Sequence, residues 1–144
     1  LIGFNRRSDG PSAGAPFWTD PTFKPLLATM NPDIVRYPGG TQANYWDWST
    51  GEFIPNSGKS MGSKEVVSIS DFVSFLPART KAVYVVNIAR PTPAIGVDVN
   101  ATEAILKSTA TLNLKITDML AAIAEFVAQG KTPYAVEVGN EFYF

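Results

Sequence analysis

Four short apolar runs alternate along the chain with three amphipathic segments, and this alternation constrains the fold more than any other feature. The apolar runs predict β-strands at Leu1–Asn5, Ile34–Tyr37, Lys81–Ala89 and Tyr134–Asn140. The amphipathic segments predict helices at Thr19–Met30, Ser70–Leu76 and about Leu112–Gln129. Because strands that alternate with helices form parallel βαβ units, the sequence predicts an α/β fold with one parallel sheet whose strands follow sequence order.

Local signals support the helix boundaries. Thr19 or Asp20 can cap the first helix, Ser70 or Asp71 lies near the cap of the second, and Gly130 suits the position that ends the third. Long stretches follow the second and third strands. In βαβ barrels such loops form the mouth, where active sites lie.

Composition excludes several kinds of function. The 144 residues carry 12 basic and 13 acidic side chains and no basic run, so nucleic acid and anionic membranes are poor candidates for partners. No apolar stretch approaches the ~20 residues of a membrane span. The absence of Cys and His removes disulfides, thiolate metal sites and the commonest general base, so acid–base chemistry falls on Asp, Glu, Tyr or Lys. We expect no metal and no cofactor.

Two motifs carry information beyond the fold class. One is RYPGGTQANYWDW at Arg36–Trp48, and the other is EVGNEFY at Glu137–Tyr143. Together with GFN near the start and the run TDPTFKPLLATMNPDIVRYPGG, they resemble the heparanase-like and arabinofuranosidase-like glycoside hydrolases over nearly the whole chain. The resemblance implies that residues 1–144 are the N-terminal half of a (β/α)8 TIM barrel, from its first strand to the end of its fourth, with the C-terminal half absent.

The resemblance also implies roles for three residues. Glu141 corresponds to the general acid/base, which protonates the departing glycosidic oxygen and then deprotonates water. Asn140 corresponds to a residue that hydrogen-bonds the sugar 2-hydroxyl, and Arg36 to one that orients the nucleophilic carboxylate. In these enzymes the nucleophile follows the seventh strand, so it is expected beyond Phe144.

Each of these assignments has a structural alternative. Glu141 could be an ordinary solvated carboxylate, Asn140 a cap at the strand end, and Arg36 the partner of Glu137 in an ion pair that is compatible with a catalytic role. Since neighbours on a strand point to opposite faces, Asn140 and Glu141 both face the mouth only if the strand ends or bulges there.

The loop after the second strand contributes further candidates. Tyr45, Trp46 and Trp48 could stack against sugar rings, with core packing beneath the loop as the alternative for at least one of them. Asn87, at the end of the third strand, is a candidate for lining the mouth. The Gly39–Thr41 turn matches no phosphate-binding fingerprint. The remaining acidic candidates are expected to be solvated charges or caps: Asp47, Glu52, Glu65 and Glu103.

The function that the sequence predicts is retaining hydrolysis of a glycosidic bond in a glycan or glycoside, in partnership with the absent half of the barrel. One alternative is a barrel that binds carbohydrate without catalysis. Another is an unrelated doubly wound α/β domain, although the first strand-to-helix turn lacks a glycine-rich fingerprint. We expect a secreted or extracytoplasmic protein. Both ends resemble cuts through a longer chain, so a signal peptide could lie outside this sequence.

Overall fold

The structure is a computed structural model that describes residues 3–5, 21–44, 46–49, 52–53, 67–87 and 108–140. The strands are β1 (Gly3–Asn5), β2 (Ile34–Tyr37), β3 (Trp46–Asp47), β4 (Glu52–Phe53), β5 (Lys81–Val86) and β6 (Ala135–Val138). The α-helices are α1 (Phe23–Met30), α2 (Ile69–Phe75) and α3 (Thr109–Ala128), and a 3-10 helix spans Gly40–Asn44. None of the described helices, the 20-residue α3 included, combines the length and apolar character that a membrane crossing needs.

Four of the strands form one parallel sheet in the order β1-β2-β5-β6. Its register aligns Arg36 with Val83, and Val83 with Ala135. The predicted α/β fold, with parallel strands that follow sequence order and helices between them, is therefore confirmed for the described residues. The short antiparallel pair β3–β4 and the 3-10 helix lie in the loop after β2, where the sequence analysis predicted no regular structure.

Two helix ends show how well local signals fix a boundary. Gly130 follows α3 with a positive φ of 81°, a conformation that glycine adopts at little cost, so its prediction as the residue that ends this helix is confirmed. The predicted cap of α2 is wrong by two or three residues. Ser68 caps the helix instead, and its hydroxyl accepts a hydrogen bond of 3.0 Å from the Asp71 backbone N–H.

The apolar core lies between one face of the sheet and the helices. Alternation along β2 and β5 directs Val35, Tyr37, Ala82, Tyr84 and Val86 to this face. They meet a set of buried helix residues: Leu27, Ile69, Phe72, Ala122 and Phe126. Arg36 is consequently directed to the opposite face of the sheet.

An aromatic cluster packs the loop after β2 against this core. The Tyr37 ring stacks on Phe72 with centroids 4.2 Å apart, and it meets Trp46 edge-on at 5.1 Å and Phe126 at 6.0 Å. The Tyr37 hydroxyl donates to the backbone carbonyl of Val67. Because Tyr37 is the last residue of β2, the loop leaves the sheet from a fixed point.

Candidate functional site

The carboxyl-terminal edge of the parallel sheet brings together polar side chains from β2 and β6. Arg36 donates from Nε to Glu137 Oε2 at 2.6 Å, and its Nη2 bonds the other oxygen of the same carboxylate. This two-bond geometry is the strong form of an arginine–carboxylate pair. The Arg36–Glu137 ion pair that the sequence offered as an alternative is thus confirmed.

The same guanidinium holds Asn140. Arg36 Nη2 also donates to Asn140 Oδ1 at 2.9 Å. Asn140 is 3% exposed, and its Nδ2 has no hydrogen-bond partner within the described part of the chain. Arginine can only donate, so the amide oxygen must face Arg36 and the amide N–H groups must face away from it. A buried donor without an acceptor costs about 1–3 kcal/mol, which makes this nitrogen a candidate for binding a ligand oxygen.

Gly139 explains why Asn140 faces Arg36. Val138 pairs with the core residue Val86, and strict alternation would turn Asn140 to that same side of the sheet. Gly139 interrupts the alternation with a φ of 80°, which L side chains rarely adopt, and β6 ends at Val138. The strand therefore ends two residues before the predicted boundary at Asn140, and Asn140 turns to the face that carries Arg36.

Asn44, which the sequence analysis did not single out, pairs with the backbone of Asn140. Its Nδ2 donates to the Asn140 carbonyl at 2.7 Å, and its Oδ1 accepts from the Asn140 N–H at 3.1 Å. Both side chains are buried. The only sequence signal for Asn44 was its place in the loop motif that carries the family resemblance, since nothing local shows that it meets residue 140.

Asn87 lies at the same edge of the sheet, directly after β5. It is buried, and its Nδ2 donates to the Trp46 carbonyl at 2.9 Å. Since β5 lies between β2 and β6, Asn87 comes from the strand between those that supply Arg36 and Asn140. Its observed hydrogen bond holds the loop after β2 in place.

The aromatic candidates separate in the structure. Trp46 is 2% exposed and belongs to the core cluster, which favours the packing alternative for this residue. Trp48 is partly exposed, packs against the core, and donates from Nε1 to Asp118 Oδ1 on α3 at 2.8 Å. Tyr45 and the principal candidate Glu141 lie outside the described residues.

A buried lysine pairs with the same aspartate that Trp48 bonds. Lys115 on α3 is 3% exposed, and its Nζ lies 3.9 Å from Asp118 Oδ2. Burial lowers the pKa of Lys115, and the nearby Asp118 and Asp47 carboxylates oppose that shift. Asp47 caps a turn, as expected for one of the remaining acidic residues, by accepting from the Ser49 N–H at 2.9 Å and hydroxyl at 2.6 Å.

The described residues hold no group of three or more acidic side chains that could bind a metal ion. Comparison with known proteins finds no matching family model, curated protein or solved structure.

Proposed function

We propose that this chain is the first half of a (β/α)8-barrel glycoside hydrolase that cleaves its substrate with retention of configuration. The observation that carries the proposal is the buried Asn140 amide, held through its oxygen by Arg36 and left with a spare donor one residue before Glu141. A sugar hydroxyl supplies the acceptor that this donor lacks. Adjacent Cα atoms are about 3.8 Å apart, so we expect Glu141 to lie beside the ligand that Asn140 binds.

The architecture supports the barrel. Parallel strands that follow sequence order, with the apolar core and its helices on one side, are what the first four units of a (β/α)8 barrel require. The other face carries Arg36 and Glu137 at its carboxyl-terminal edge. In such barrels catalytic groups come from this edge and from the loops that follow it.

Glu137 is a poor candidate for the second carboxylate. Both of its oxygens are engaged by Arg36. The proposal therefore takes the nucleophile from the seventh strand, outside this chain, as the resemblance implies.

The test is Glu141→Gln in the full-length protein. With natural glycosides we expect a loss in turnover of about 10²–10⁴-fold, because the amide cannot protonate the leaving group. The loss should be much smaller with nitrophenyl glycosides, whose leaving group departs without a proton. Azide should partly restore turnover on these substrates, because it attacks the glycosyl-enzyme without a general base.

Glu125→Gln is the matched control, since Glu125 is a partly exposed carboxylate on α3 whose Oε1 accepts a hydrogen bond of 2.8 Å from Gln129 Nε2. It should retain wild-type turnover. If Glu141→Gln also hydrolyses natural substrate at the wild-type rate, Glu141 is not the acid/base. A wild-type protein that binds oligosaccharide but hydrolyses none of them would instead support the barrel that binds carbohydrate without catalysis.

A further inference from the structure

Asn44 forms a hydrogen bond with the peptide group that joins Asn140 to Glu141. The Asn140 carbonyl, which accepts from Asn44 Nδ2 at 2.7 Å, belongs to the peptide bond between residues 140 and 141. We propose that Asn44 is the positioning residue of the acid/base, fixing this peptide so that the Glu141 side chain starts from a set place and direction. The inference rests on the proposed role of Glu141.

The first effect of Asn44 follows from the planarity of the peptide bond. The six atoms from the Asn140 Cα to the Glu141 Cα lie close to one plane, so holding the carbonyl oxygen holds the N–H and Cα of Glu141 as well. The second bond, from the Asn140 N–H to Asn44 Oδ1 at 3.1 Å, holds the peptide on the other side of Asn140. Together the two bonds leave the Asn140 backbone little freedom to rotate.

The hydrogen bonds from Asn44 are needed because the sheet does not hold the backbone beyond Gly139. The last bond between β5 and β6 runs from the Gly139 N–H to the Val86 carbonyl at 3.1 Å. Gly139 belongs to the residue type that is most permissive for backbone rotation, so the sheet alone constrains the Asn140 backbone only weakly. Arg36 holds the Asn140 side chain, but only Asn44 holds the Asn140 backbone among the described residues.

Asn44 is itself rigidly placed. It ends the 3-10 helix, and the preceding Ala43 is fully buried. Two residues later Trp46 is fixed twice, by its ring in the aromatic cluster and by its carbonyl, which accepts from Asn87. Because both members of the Asn44–Asn140 pair are buried, water does not compete for their hydrogen bonds.

The experiment compares Asn44→Ala with wild type in the full-length protein on two substrate classes. A displaced catalytic group costs up to about 10²-fold in rate, so with glycosides that have poor leaving groups we expect a loss in kcat of about 10- to 100-fold. With nitrophenyl glycosides the loss should be a few-fold at most, because that step does not need the proton. KM should change little.

The matched control is Thr80→Val, which removes another buried hydrogen bond to a backbone carbonyl, from Thr80 Oγ1 to Pro32 at 2.7 Å, at the opposite end of the sheet. It should lower the unfolding midpoint without any selectivity between substrates. Asn44→Asp is the second variant if Asn44→Ala does not fold. It keeps the shape but sets a carboxylate oxygen against the Asn140 carbonyl, and should show the same selective loss.

A double-variant cycle separates positioning from general structural support. If Asn44 acts through Glu141, adding Asn44→Ala to Glu141→Gln should cost little more on poor leaving groups. Equal losses on both substrate classes, or losses that multiply fully in the double variant, would overturn the inference while leaving the glycosidase function in place. A wild-type protein without hydrolytic activity would overturn both.

Discussion

The two ends of the parallel sheet are both polar, but they are built differently. At the amino-terminal end, side chains reach from one loop to the backbone carbonyls of another: Thr80 to Pro32, Arg79 to Asn31 and Lys131 to Ala78. At the carboxyl-terminal end, Asn87 likewise bonds the Trp46 carbonyl, but the other contacts converge on Asn140 and its partner: Arg36 bonds Glu137 and Asn140, and Asn44 bonds Asn140.

The contacts at the amino-terminal end support the fold, whereas those at the carboxyl-terminal end fix the geometry of the candidate site. A backbone carbonyl is present at every position and accepts from any donor, so the contacts at the amino-terminal end require little of their neighbours. Most are also exposed, Arg79 at 58% of its side chain among them. At the other end, Asn44 and Asn140 are buried and Arg36 is partly buried, their hydrogen bonds fix one another's rotamers, and one donor is left over. Such a network depends on every member.

The largest contrast should come from the arginine at each end. Arg36→Ala leaves the Glu137 carboxylate and the buried Asn140 Oδ1 without their common donor. We expect a loss of about 1–3 kcal/mol in the free energy of unfolding and of about 10²-fold in kcat/KM. Arg36→Lys should not restore activity, because an ammonium cannot reproduce the planar fork.

Arg79→Ala, at the other end, is its control. Arg79 pairs with Asp33 in solvent at 3.3 Å, so the change in unfolding free energy should stay below about 1 kcal/mol, with activity unchanged. Urea unfolding and steady-state kinetics measure both quantities. Equal effects of the two substitutions on activity would remove the distinction between the ends.

Substitution of the two glycines that precede and follow β6 should give a smaller difference in activity, but the two positions are more closely matched. Gly130 and Gly139 have nearly the same φ, 81° and 80°. Alanine at either should cost about 1 kcal/mol in stability through backbone strain, and a Cβ at Gly130 meets nothing within 4 Å. Only Gly139→Ala should also reduce turnover, because it moves Asn140. Unfolding midpoints and kcat measured side by side decide this. Equal activity in the two variants would show that the turn at Gly139 does not matter to the site.

The smallest expected effect is on the pH dependence of stability, and it concerns two lysines, one in the first half of α3 and one just after this helix ends. Burial lowers the pKa of both Lys115 and Lys131 below the ordinary 10.5. Between the lowered value and 10.5 the unfolded chain binds more protons, so the free energy of unfolding rises with pH there. Lys115→Met should remove most of this slope and stabilise the protein at pH 7, because a lowered pKa means that the charged lysine favours the unfolded chain.

Lys131→Met should change stability little. Lys131 is only partly buried, and its Nζ already donates to the Ala78 carbonyl at 2.9 Å. Thermal unfolding from pH 7 to 10.5 follows both variants. A Lys115→Met protein that is less stable than wild type at pH 7 would show that the attraction of Asp118 and Asp47 outweighs the cost of burial.

The sequence predicted the features that depend on local patterns and motifs, but not those that depend on tertiary packing. Strand order, the end of α3 at Gly130 and the Arg36–Glu137 pair followed from apolar patterning and motifs. Asn44 and Lys115 did not, because an Asn in a loop and a Lys on a helix look solvated until register and packing place them. Trp46 and Trp48 are equivalent in sequence, and only the Tyr37–Phe72 cluster decides which is buried.

The sequence separation within the site has a kinetic consequence. Arg36 and Glu137 are 101 residues apart along the chain, and Asn44 and Asn140 are 96 apart. Such contacts form only after long loops have closed, and parallel pairing is intrinsically slow for this reason. During refolding, α3 can regain its hydrogen bonds while Arg36 is still far from Asn140. Binding competence should therefore return with the last pairing of β6 onto β5, later than helix content, and a nascent chain should lack the site until residue 140 has left the ribosome.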